Sequence, residues 1–153
     1  MSFKTLIIDD SSIHRLAISF LVKNHPQLEL VGAYADPYEG FKAIYDHQVD
    51  IVFLDVLLEN VNSFELLDEI KIPAAIIMNS SWERFSVKAK KYGIQNFLVK
   101  PLRKETFEIA VNNTLKSFET NDKGQVLDTS RPYFMPKPNV FQKGKRKKNK
   151  VTV

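Results

Sequence analysis

Apolar residues along this chain follow two rhythms that take turns. Short unbroken runs read as strands: "TLII" at 5–8, "LELVGAYA" at 28–35, "DIVFLDV" at 50–56, "AAIIM" at 74–78 and "NFLV" at 96–99. Between and after them, apolar positions recur at helical spacing. "SSIHRLAISFLVKNH" puts Ile13, Leu16, Ala17, Phe20 and Leu21 on one face, with Ser11 or Ser12 as N-cap. "PYEGFKAIYDHQ" opens on Pro37, which suits a first helical turn, and aligns Phe41, Ile44 and Tyr45. "SFELLDEI" is a short helix followed by Pro73, and "SWERFSVKAKKYG" is a helix closed by Gly93. "RKETFEIAVNNTLKSF" spaces Phe107, Ala110, Val111, Leu115 and Phe118 as a last helix.

Five strands alternating with five helices predict an α/β fold. The expected form is a five-stranded parallel sheet with helices on both faces, a flavodoxin-like doubly wound (βα)5 arrangement. Strands that are apolar throughout, rather than alternating, fit a sheet buried on both sides. In such sheets, sites form at the carboxyl ends of the strands, near the point where strand order reverses. The first strand here runs into Asp9 and Asp10, and the third into Asp55. The fourth is followed by Asn79, Ser80 and Ser81, and the fifth ends at Lys100 before Pro101. Taken singly, each is an ordinary turn or cap residue. Together they bring three carboxylates, an ammonium and a hydroxyl to one sheet edge.

Composition separates this body from the rest of the chain. The 153 residues are 44% hydrophobic, enough for one globular domain with a real core. After residue 119 the pattern changes: three of the seven prolines fall there, with no helical period. We therefore expect a folded domain over 1–119 and a basic, largely disordered or extended tail over 120–153. The net charge of +4 hides a division between them. Residues 120–153 carry nine Lys and Arg against two Asp, and residues 1–119 carry thirteen basic against sixteen acidic groups. The basic character belongs to the tail, so whole-chain charge is no argument that the body binds nucleic acid. Cysteine is absent, which excludes disulfides and thiolate metal sites. No run approaches the roughly 18 apolar residues of a membrane span, and the N-terminus lacks a signal peptide's apolar stretch. A soluble, cytoplasmic protein is the expectation.

Three clustered carboxylates suit a hard divalent cation such as Mg2+, which would cancel their mutual repulsion. A metal beside a carboxylate also lets a phosphoryl donor approach. Lys100 could neutralise one phosphoryl oxygen and Ser80 hydrogen-bond another, while a carboxylate acts as nucleophile and becomes an acyl phosphate.

An acidic pair after strand one, Asp after strand three, Ser after strand four and Lys-Pro after strand five resemble the CheY-like receiver domain of two-component response regulators. The resemblance covers roughly residues 3 to 119. It implies that Asp55 is the phosphoacceptor, that Asp10 is a direct Mg2+ ligand with Asp9 beside it, often acting through water, and that the Leu57 carbonyl is a further ligand. It implies that Lys100 binds phosphate, that Pro101 is cis, and that Ser80 and Phe97 form the switch. Such a domain is not an enzyme in the turnover sense, since it catalyses only its own phosphorylation and dephosphorylation. A sensor histidine kinase would supply the phosphoryl group. The surface of the fourth helix, fifth strand and fifth helix would signal to a protein partner or a second copy.

The stretch from "IIMNSSW" to "VKP" is two residues shorter than in many receivers, and in this it resembles those paired with LytTR DNA-binding domains. Those commonly read Thr-Thr-Ala-Tyr where this chain has Asn79-Ser80-Ser81-Trp82. Departures lie after the acceptor, where Leu58, Glu59 and Ser63 replace a Met-Pro pair and a glycine. The loop there is expected to bend differently. Leu57 and Trp82, apolar and bulky, are expected to exclude water and slow dephosphorylation. His14, His25 and His47 lack ligand spacing and are expected on the surface or in packing. The basic cluster at 143–150 makes a second outcome possible: a DNA-binding transcriptional regulator, or a fragment of one.

Overall fold

A computed structural model describes residues 2–122, and the tail residues 123–153, with the expectation placed on them, lie outside the described residues. Five strands build the main sheet: β1 (Phe3–Ile8), β2 (Leu28–Tyr34), β3 (Ile51–Asp55), β6 (Ala75–Ser80) and β7 (Asn96–Val99). All pair in parallel, in the order β2-β1-β3-β6-β7. Between β3 and β6 lie two short strands, β4 (Leu57–Leu58) and β5 (Val61–Asn62), which pair antiparallel. The helices are α1 (Ser12–Lys23), α2 (Pro37–Asp46), α3 (Ser63–Glu69), α4 (Phe85–Lys91) and α5 (Lys104–Asp122). The expected doubly wound sheet is present. Its order reverses at β1, so the clefts at the carboxyl ends of β1 and β3 open side by side.

Strand alternation divides the core in two. One face carries Leu6, Ile8, Val52, Leu54 and Met78 beneath α2, α3 and α4. The other carries Ile7, Phe53, Ile77 and Leu98 beneath α1 and α5, with Phe53 and Phe107 stacked at 5.4 Å between centroids. Because β3 is central, all five of its residues are buried, which is why its sequence is an unbroken apolar run before Asp55. Ahead of β7, α4 closes where Gly93 takes a φ of +79°, a conformation open to glycine without penalty.

Several boundaries differ from expectation. The first helix does not bury the face its spacing suggested. Ile13, Leu16 and Phe20 are 81%, 72% and 66% exposed, Ala17 is exposed and Leu21 half-buried, while Ile18 and Val22 face the core. The helix carries two apolar stripes, and its tether decides between them. The His14 ring and the Arg15 guanidinium are both tied to Asp9, and this fixes the rotation that points Ile18 and Val22 at the sheet. The fourth helix starts at Phe85 rather than near Ser81, because β6 runs on through Ser80 and the next residues form a turn. The last helix reaches Asp122, so the helical body extends past the expected boundary at 119.

Candidate functional site

Strand ends deliver the acidic groups. β1 stops at Ile8, and Asp9 follows it fully buried, while Asp10 is exposed. Asp55 is the last residue of β3 and is 3% exposed. One oxygen from each of Asp9, Asp10 and Asp55 lies within 4.8 Å of the others. Lys100, just past β7, reaches across: its Nζ is 3.0 Å from Asp55 Oδ2 and 3.3 Å from Asp9 Oδ2. The Lys100–Pro101 peptide is cis. Three carboxylates so close repel one another, and one ammonium answers only part of that charge. The donor set fits a hard, oxygen-preferring cation such as Mg2+.

Asp9 and Asp55 carry opposite perturbations. Burial alone would raise Asp9, but hydrogen bonds from His14 and from the Ser11 N–H, with the Lys100 charge, hold its carboxyl below the ordinary value. Asp55 is pushed up to about 7, first by burial and then by the Asp9 charge, against the pull of Lys100. A buried carboxylate raised in this way is poised for charge neutralisation, by proton, cation or covalent partner.

The surrounding loops are held by backbone contacts. Val56 N–H donates to Asn79 O at 2.9 Å, and Ser63 N–H donates to Val56 O at 2.8 Å. The Ser63 hydroxyl donates to the Asp55 carbonyl. The β4–β5 ribbon begins at Leu57, whose side chain is exposed, and turns at Asn60, which has a positive φ of 67°. Ser80, 1% exposed, accepts from Trp82 N–H at 3.1 Å, and its carbonyl accepts from Lys100 N–H at 2.8 Å. Phe97 on β7 pairs with Met78 and packs half-buried against the α2–α3–α4 core.

Two side chains at the site were not singled out from sequence. His14 was expected to be unconnected to chemistry, yet its Nδ1 is 2.5 Å from Asp9 Oδ2. Its position, three residues after the Ser11 cap, turns it back over the strand end. Asn79 was noted only as a residue beyond strand four, but it is the penultimate residue of β6 and fully buried.

A doubly wound five-stranded sheet with an acidic triad and a lysine at its reversal point defines a receiver-type domain. The chain belongs to the response regulator receiver domain family, whose model matches residues 5–112. That family works in phosphorylation-dependent signalling. Among curated proteins, the chain is 31% identical over 112 residues to the Transcriptional regulatory protein LytR of Staphylococcus aureus, covering 71% of this chain and 46% of that protein. It is 25% identical over 126 residues to the Sensory transduction protein LytT of Bacillus anthracis, covering 80% and 50%. The chain thus spans about half the length of these relatives. Among solved structures, the response regulatory domain of mrkE from Klebsiella pneumoniae shares the fold at a TM-score of 0.68 and 22% identity, covering 76% of this chain and 98% of that one. A receiver domain protein from Clostridium thermocellum matches at 0.67 and 25%, covering 79% and 99%. Among the described residues, no helix is long and apolar enough to cross a membrane.

Proposed function

We propose that Asp55 accepts a phosphoryl group from a sensor histidine kinase in the cytoplasm, with Mg2+, and that the charge change is read on the α4–β7–α5 surface. The observation that carries this reading is Lys100 Nζ, 3.0 Å from Asp55 Oδ2 and 3.3 Å from Asp9 Oδ2, beside the clustered carboxylates. Asp9, Asp10, Asp55 and the Leu57 carbonyl would hold Mg2+, which supplies charge neutralisation for the transferring group. Asp55 attacks phosphorus in line with the departing donor. Lys100 then binds a phosphoryl oxygen, and the Ser80 hydroxyl, which accepts from Trp82 N–H, donates to another phosphoryl oxygen. Phe97, one strand over, follows into the space that opens. Moving the active form from about 1% to about 99% requires roughly 5.5 kcal/mol of preference. Leu57 and Trp82, each two residues beyond a reacting group, limit water at phosphorus.

The exposed α1 stripe of Ile13, Leu16, Ala17 and Phe20 supports a protein donor. It begins three residues after Asp10, so a kinase seated on it lies beside the carboxylates. The test is mass measurement after incubation with a small phosphodonor and Mg2+. Wild type is expected to gain one phosphoryl group and Asp55→Asn none. Equal labelling of both would remove Asp55 from the role.

A second reading is favoured by the relatives' greater length and by the name Transcriptional regulatory protein carried by one of them. In it the domain works within a DNA-binding regulator, through the basic cluster at 143–150 or an effector domain.

A further inference from the structure

Asn79 has neither hydrogen-bond partner that its carboxamide needs. It is 0% exposed, and both Nδ2 and Oδ1 are buried without a partner. Buried amides are almost always satisfied, so an orphan pair in a sheet needs an explanation. Strand register gives its surroundings. Ile7, Phe53 and Ile77 are side by side on β1, β3 and β6, on the face covered by α1 and α5. Side chains two residues further along each strand return to the same face. That next row reads Asp9, Asp55, Asn79, with Leu98 of β7 beyond it. Asn79 is therefore the acceptor's immediate neighbour, on the flank of Asp55 away from Asp9. A residue filling space there would be apolar, as Leu98 and Ile77 are.

We propose that the Asn79 carboxamide serves the loss of the phosphoryl group: its Nδ2–H donates to the Asp55 oxygen as the P–O bond breaks and negative charge returns there, and so shortens the life of the acyl phosphate. The assignment rests on Asp55 being the acceptor. In the hydrolysis step, a water oxygen bonds to phosphorus and its proton passes to solvent. The P–O bond to Asp55 breaks, and its electron pair stays on the carboxylate. A donor held beside the breaking bond in a dry site stabilises the charge as it develops on that oxygen.

The experiment measures acyl-phosphate lifetime by intact mass in wild type, Asn79→Val and Asn79→Thr after labelling with a small phosphodonor and Mg2+. Val removes the amide with its donor. Its phosphorylated form is expected to last roughly tenfold longer, the scale of one hydrogen bond to a charged group. Thr, with Val's shape and a hydroxyl, is expected to bring the lifetime back toward wild type. A melting temperature for Val at or above wild type establishes that the fold is intact, since the variant loses an unsatisfied amide. A Val lifetime within twofold of wild type overturns the proposal, and so do equal lifetimes for Val and Thr. A wild type that takes up no phosphoryl group refutes the acceptor reading, and this assignment with it.

Discussion

Asp55 sits where its own charge is disfavoured. Its carboxyl is pushed up to about 7 by burial and by Asp9, from an ordinary value of 3.8. The folded chain therefore holds a proton at Asp55 that the unfolded chain has released. The stability this adds is full below the unfolded value and is lost as pH rises through about 7. In metal-free buffer the melting temperature is expected to fall as pH rises from about 5 to about 8, and Asp55→Asn to flatten that fall. Identical slopes in the two proteins would contradict the assignment. Asp9 works the opposite way at lower pH, since its depressed carboxyl loses stabilising contacts on protonation. The carboxylates and Lys100 were legible in sequence because each interrupts or ends an apolar run. His14 and Asn79 were not, for separate reasons. His14 acts through a helix rotation that periodicity did not fix, and Asn79 looked like the first loop residue of a strand that in fact runs one residue past it.

Elements differ in how firmly their sequences fix them. α5 has one apolar stripe, and its Phe107, Ala110, Val111 and Leu115 are buried as their spacing predicts. α1 has two apolar stripes, and with His14 and Arg15 tied to Asp9 it is the one with Ile18 and Val22 that packs on the sheet. The β4–β5 ribbon, two residues per strand, is too short to leave any period. The rejected α1 stripe is where the proposed kinase contact is tested. Leu16→Glu alters a side chain that is 72% exposed, so the fold is expected to change by no more than about 0.5 kcal/mol. The variant is expected to lower transfer from a phosphorylated kinase at least tenfold more than it lowers labelling by a small phosphodonor. Equal losses from both donors would place the defect in the acid pocket rather than on the helix.

At the scale of the whole molecule, charge is divided between segments. The body holds the acidic pocket and the sheet, and the basic excess lies beyond residue 119. Removing residues 137–153 is expected to leave phosphoryl uptake and the melting transition unchanged. Retention of DNA on a gel by the full chain, lost on this truncation, would move weight to the transcriptional reading. The architecture was legible because five apolar runs and five helical segments admit few arrangements. The partners were not, because docking chemistry depends on surfaces that no short motif marks. The pocket draws on segments near residues 9, 55, 80 and 100, brought together by the order β2-β1-β3-β6-β7. A nascent polypeptide on the ribosome is thus blind to its signal until the codon for Lys100 has been read and that stretch has cleared the exit tunnel. Synthesis itself sets the earliest moment at which a newly made copy can begin to listen.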